Sequence, residues 1–339
     1  MSVMTRRALL GAIATSPLWL RAAWAQPTNL KISHQFPGGS VAEGDFRDRL
    51  CRMFAAEAER RTKGHVKFSI YPRSTLMKSE SQIPALAKGA LDMSLVPLSY
   101  AGADLPELNI GLMPGLVTSY EQGYAWKDAE IGREFTRMLA DRGIVMLSWI
   151  WQAGGVASRG RPIVEPEDAA GLRVRGGSPE MDAILRQAGA NVVAMPSDAI
   201  RAALEKGQLD AAMTSSSSLI SFRLDEVSKS VTTARGGTYW FMLEPLLISR
   251  AAFDRLPKDQ QAALLSVGAD LEAFARKSAQ MDDAAVEALY SGAGGRVAEL
   301  NAATLHKWQD LARNTAWREY GERNANCAKL LALAEKTVV

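Results

Sequence analysis

Ala85-Leu86-Ala87-Lys88-Gly89-Ala90-Leu91-Asp92 returns later in the chain as Ala203-Leu204-Glu205-Lys206-Gly207-Gln208-Leu209-Asp210, with six of eight positions identical. Each copy ends a helical pattern, turns on glycine and enters a short apolar run. The glycine suits the left-handed residue that closes a helix, and the aspartate opens the strand. Such junctions also arise independently, so eight residues give modest support for two similar α/β lobes, one copy in each.

The surrounding chain alternates in the same way. Leu30 to His34 reads as a strand, Phe46 to Thr62 as an amphipathic helix, and Val66 to Tyr71 as an alternating strand. Met93 to Val96 is a strand stopped by Pro97, Tyr120 to Asp141 a helix, and Ile144 to Ile150 a buried strand. Strand and helix at this spacing define an α/β sheet. In open α/β sheets ligands sit beyond the carboxyl ends of strands. That rule selects Ser99 and Tyr100 after one repeated unit, and Thr214 and Ser215 after the other. Lys258 to Ser291 contains no proline and one glycine, Gly268, so a single helix bracing both lobes is expected there. Thr304 to Lys336 is again helical in composition.

The 339 residues are 47% hydrophobic and 23% charged, enough for two cores and too apolar for a disordered chain. Arg6, Arg7 and Arg21 are the only charges among the first 25 residues; without them basic and acidic residues balance. A neutral chain without a basic stripe is a poor nucleic-acid binder, and no nucleic-acid partner is expected. Thr5-Arg6-Arg7-Ala8-Leu9-Leu10, the apolar run to Leu20 and Ala23-Trp24-Ala25 together read as a twin-arginine-like signal peptide over residues 1–25, cleaved near Ala25. Sec and Tat export both remain open. Cys51 and Cys327 would then face an oxidising compartment, either as buried thiols or as one bridge.

Enzyme signatures fail in turn. His34, His65 and His306 are isolated, so no metal is expected. No nucleophile elbow is present, and Ser215 to Ser218 reads as a loop or helix start. Gly171 to Ser178 approaches phosphate-loop spacing but carries Gly177 where the lysine belongs. What remains is Arg173-Val174-Arg175 on a strand, two arginines sharing a face before Gly176-Gly177. A guanidinium at a strand end suits a carboxylate held by two parallel hydrogen bonds, whereas two solvated arginines on an edge strand would have no such role. Trp149 and Trp151, and Tyr239-Trp240-Phe241, lie where the chain would cross between lobes. They fit the aromatic walls of a small-ligand site or simple core packing.

Arg161 to Arg175, with Pro162-Ile163-Val164-Glu165-Pro166-Glu167-Asp168 leading to Gly171-Leu172-Arg173-Val174-Arg175, resembles the DctP-type solute-binding proteins of TRAP (tripartite ATP-independent periplasmic) transporters. Leu30 to His34, Lys63-Gly64, Tyr71-Pro72, Lys88 to Met93, Gly189-Ala190 through Met195-Pro196, and Ala203 to Asp210 extend the resemblance over nearly the whole mature chain. It implies a two-lobed periplasmic-binding-protein-like fold with crossing strands and a helical C-terminus. Lobe I would take residues 26–151 plus about 241–280, lobe II 152–240 plus about 281–310, and the C-terminal helices 311–339. The implied protein is a periplasmic receptor, monomeric and without cofactor, that captures a small organic acid and delivers it to membrane permease subunits. A binding protein of an ATP-driven importer is the alternative, and a secreted enzyme acting on an organic acid a weaker one. The resemblance places the carboxylate anchor on Arg175 and further contacts near Gln35, with its neighbour Phe36, and near Thr214. With Ser99, Tyr100, Trp151, Ser215, Tyr239 and Trp240 these form the expected ligand-binding set. Many relatives carry a second arginine at a position matching about Gly154. Its lack here favours an aromatic or hydroxylated monocarboxylate over a C4-dicarboxylate.

Overall fold

The computed structural model describes residues 26–337; the expected signal peptide, residues 1–25, lies outside the described residues. The first part of the chain contributes β1 (Thr28–His34), β2 (Val66–Tyr71), β3 (Met93–Leu95), β4 (Ile144–Ser148), β5 (Trp151–Ser158) and β6 (Arg173–Arg175). The rest contributes β7 (Asn191–Val192), β8 (Ala211–Ser215), β9 (Ser230–Thr233), β10 (Phe241–Leu243), β11 (Leu246–Ser249) and β12 (Arg296–Glu299). One sheet has the order β2-β1-β3-β11-β4; the other runs β12-β9-β5-β8-β6-β7, with β10 paired to the start of β5. The fold is thus α/β with two sheets, as the alternating pattern implies.

The repeated octapeptides fall one in each sheet, leading into β3 and β8. Gly89 and Gly207 have φ of 69° and 67°. The turns also match bond for bond: Ala90 N donates to Ala85 O at 2.8 Å, and Gln208 N to Ala203 O at 2.8 Å. The two aspartates do the same work on a neighbouring strand. Asp92 Oδ2 accepts from the Lys31 backbone N–H at 3.1 Å, and Asp210 Oδ2 from that of Arg173 at 2.9 Å.

Two short crossings join the sheets. Residues 149–150 connect β4 to β5, and residues 244–245 connect β10 to β11. They run side by side, with the Glu244 N–H donating to Ile150 O at 2.8 Å. β5 is buried at all eight positions: strands pair along its length, on both edges over Val156–Ser158, and helices pack on it.

The expected single helix over Lys258–Ser291 is two, Lys258–Asp270 and Glu272–Gly292, broken at Leu271 with φ −84° and ψ −7°. The two halves serve different neighbours. The first lies on β4 and the Phe46–Arg61 helix, and the second leans on β5, β9 and the short Ser216–Ser221 helix. A change of direction is therefore needed between them. Gly268 comes so close to β4 that a Cβ there would stand 2.0 Å from Leu147 O. Glu272 Oε1 then accepts from the Trp149 N–H of the first crossing at 3.0 Å. The Tyr120–Asp141 region likewise divides, into Tyr120–Ala125 and Glu130–Asp141. Cys51 and Cys327 are both free thiols and buried, and burial pushes both thiols up, Cys327 to about 11. Among the described residues no helix is long and apolar enough to cross a membrane.

Candidate functional site

The carboxyl ends of β6 and β8 meet the start of the Phe46–Arg61 helix and the second crossing around one enclosed cavity. Arg47, Tyr100, Arg175, Thr214, Trp240 and Glu244 are among its walls, which also include Ser197, Ser215, Ser218 and Met242. Its volume is about 10 Å³, close to the least that admits one water. The cleft is shut. Hydrogen bonds cross it at the rim: Ser99 Oγ donates to Gly177 O at 2.9 Å, and Ser74 Oγ to Asp198 Oδ2 at 2.9 Å.

Arg175 ends β6 and is 5% exposed. Its Nε donates to Met195 O at 3.0 Å and its Nη1 to Met213 O at 2.7 Å, two neutral acceptors that fix the plane of the guanidinium. Gly177, at φ 105°, leaves the room this requires, since a Cβ there would approach Arg175 Nη1 to 2.7 Å. Asp182, whose carboxyl burial pushes up, accepts from the Gly176 backbone N–H and lies close enough to Arg175 to feel its charge. Arg173 begins the same strand and points elsewhere. It is exposed and grips Asp210 with two bonds, at 2.9 and 2.7 Å. The two arginines share a strand face but not an environment.

Tyr100 OH accepts from the Ser197 N–H at 2.8 Å and lies 3.2 Å from Gln35 Oε1, so Gln35 stands one bond behind the cavity wall. Thr214 and Ser215 line the cavity directly; Ser215 Oγ also caps the Ser216–Ser221 helix by accepting from the Ser218 N–H at 3.3 Å. Phe36 lies beneath Arg47, whose guanidinium carbon stands 3.6 Å from the ring centroid. Ser99 belongs to the neighbouring groove with Gly177 and Pro179. Trp151 and Tyr239 do not line the cavity. Trp151 packs edge-on against Trp126 and Tyr239 stacks on Trp308, with centroids 5.1 and 4.5 Å apart.

Sequence reading missed Arg47 and Glu244. Asp45 caps the Phe46–Arg61 helix, and its Oδ1 accepts from Arg47 Nε at 2.9 Å while Oδ2 accepts from Nη2 at 2.6 Å. Arg47 Nη1 reaches Glu244 Oε2 at 3.3 Å and Ser218 Oγ at 3.1 Å. Gln152 Nε2 donates to the same Glu244 oxygen, and Glu244 Oε1 has no partner. Burial pushes the Glu244 carboxyl up to about 7, against the pull of Arg47. At Gly154, where the family resemblance puts an arginine, a Cβ would stand 2.2 Å from the Trp240 ring. Trp240 occupies that space, and the second cavity arginine comes from the other lobe. One signal was legible: Glu244 is the lone acid within the apolar run Tyr239–Ile248.

Two sheets joined by paired crossings, with a buried arginine in the cleft between them, match the architecture of a solute-binding receptor. The family model for bacterial extracellular solute-binding proteins, family 7 (DctP), matches residues 38–324, and the chain belongs to that family. A solute-binding protein of Albidiferax ferrireducens is 60% identical over 338 residues, covering 99% of this chain and 100% of that one. The crystal structure of a TRAP periplasmic solute-binding protein from Rhodoferax ferrireducens, with bound malonate, is similar at 63% identity and a TM-score of 0.90, over 91% of this chain and 98% of that one. The C4-dicarboxylate-binding periplasmic protein DctP of Rhodobacter capsulatus is 26% identical over 316 residues, 91% of this chain and 92% of its own. All three are binding proteins by name.

Proposed function

We propose that the chain is the exported receptor of a TRAP transporter and that its solute is a short dicarboxylate. One carboxylate would be held by Arg175 and the other would lie toward Arg47. The carrying observation is that two buried arginines, one from each lobe, line a single cavity. The Arg175 guanidinium is already oriented by two backbone carbonyls and meets a carboxylate without reorganising. The malonate bound to the relative of 63% identity supports a short diacid and shifts the balance away from an aromatic monocarboxylate. The Arg6-Arg7 leader supports export to the periplasm, and the family supports a membrane permease as partner. Because the closed cavity is far smaller than any organic acid, entry requires the lobes to part about the paired crossings.

Thermal unfolding of the purified protein against malonate, succinate, malate, pyroglutamate and galacturonate tests this. A rise of several degrees with malonate, the diacid remaining unconsumed, is the expected result, since a ligand of the native state alone stabilises by mass action. No shift with any dicarboxylate sinks the solute assignment, and loss of the compound over time sinks the receptor reading.

A further inference from the structure

The cavity holds a charge problem that its geometry can relieve in part. Arg47 and Arg175 bring two positive charges, and Asp45 and Glu244, gathered on Arg47, bring two negative ones. Asp182 near Arg175 and Asp282 near Arg47 are further carboxyls that burial pushes toward the neutral form. A dianion entering a site already balanced would leave two buried negative charges without partners, a costly arrangement at low dielectric. The two acids on Arg47 are not equivalent. Asp45 gives both oxygens to Arg47, whereas Glu244 gives only Oε2 and keeps a fully buried Oε1 with no partner.

We propose that Glu244 makes capture proton-linked: a dicarboxylate binds together with one proton from bulk water, which attaches to Glu244 Oε1 and is donated in a hydrogen bond to the solute. The inference rests on the dicarboxylate reading. With that proton the site carries one negative charge fewer, and an acceptor that would repel a carboxylate becomes a donor to it.

The other groups around Glu244 leave it as the place for the proton. The Phe46–Arg61 helix presents Arg47 and Asp45 and, a turn on, the buried Cys51, whose thiol is pushed up by burial and the neighbouring carboxylates. β5 presents the neutral Gln152, and β6 presents Arg175 across the cavity. Tyr100 and Ser218 face it as neutral hydroxyls. From the Glu272–Gly292 helix, Asp282 approaches Arg47 and Asp45 from behind, with Ser217 as its hydrogen-bond partner. Burial, which holds the Glu244 carboxyl at about 7, makes the proton available near neutrality. The residue also sits on the pivot, its backbone N–H bonded to Ile150 O of the other crossing, so charge and closure meet at one residue.

Isothermal titration of the whole protein with malonate, in phosphate and in Tris between pH 7 and 9, reads the linked protons from the difference in heats. The expected result is uptake of about half a proton at pH 7, approaching one at pH 8.5, with affinity falling toward tenfold per pH unit above pH 8. Glu244→Gln, which keeps the shape, is expected to bind malonate with no uptake and a flat profile. A ligand-minus-free infrared difference spectrum of the unmutated protein should show a new protonated-carboxyl carbonyl band, so the test stands even where the variant fails to fold. Equal heats in the two buffers, a missing band, or uptake that persists in Glu244→Gln overturns the proposal while malonate binding survives. Absence of binding by any dicarboxylate across that pH range instead overturns the solute assignment beneath it.

Discussion

Arg175 and Arg47 look into one cavity from opposite lobes, and each is held in a different manner. Arg175 is oriented by the neutral carbonyls of Met195 and Met213, with no ion pair on its guanidinium among the described residues and Asp182 nearby. Arg47 is buried between Asp45 and Glu244 over the Phe36 ring; burial opposes its charge, and the two carboxylates more than offset that. An arginine fixed by dipoles is a receptor for an anion. An arginine fixed by anions is first a piece of structure, and becomes a receptor only as one of those anions is neutralised.

The contrast can be broken by substitution. Arg47→Met should leave Asp45 and Glu244 buried together without a cation, at a cost of about 3–5 kcal/mol of stability. Scanning calorimetry should show melting lowered by on the order of 10 °C. A variant that melts like the unmutated protein would show that the carboxylates do not depend on Arg47. Arg175→Lys should behave in the opposite sense, keeping the fold and losing the solute. Lysine retains the charge but not the planar fork, and the loss of about 2–5 kcal/mol corresponds to tens to thousands of fold in affinity. Titration calorimetry and circular dichroism together check this; equal loss of fold and binding would make Arg175 structural as well. Arg173→Lys is the smallest change. Its carboxylate partner is at the surface, so affinity should stay within about twofold. A loss matching that of Arg175→Lys would contradict the single-anchor assignment.

The features legible in sequence were those built from neighbours in the chain. The two octapeptides predicted matching junctions because a glycine turn and a strand-capping aspartate are local devices. The Arg173-Val174-Arg175 pair stood out because strand, arginine and paired glycine follow one another, and the family resemblance then singled out Arg175. Arg47 was not legible: the first turn of an amphipathic helix is an ordinary place for a solvated arginine, and its burial depends on partners remote in the chain, Ser218 at 171 and Glu244 at 197 residues away. The break at Leu271 was hidden for a related reason. No glycine or proline stands there, and the bend answers to β4, β5 and the Trp149 crossing rather than to its own sequence. Trp151 sits beside the first crossing and Tyr239 just ahead of β10, but periodicity cannot tell a wall of the cavity from the core behind it.

Gly154 has a consequence for how such a receptor can change over generations. A side chain there would meet the Trp240 ring and, at 2.3 Å, the backbone oxygen of Thr214. Mutating the tryptophan clears the first obstacle but not the second, which belongs to the paired strand β8. Neither one nor two nearby substitutions can therefore restore a guanidinium at this position without displacing a central strand. The opposite wall has no such steric barrier, since Arg47 and Glu244 lie at a helix start and a strand crossing. There the constraint is the shared charge network rather than a paired strand. Drift toward new solutes has its accessible mutational path on that side, with the β6–β8 wall as inherited ground.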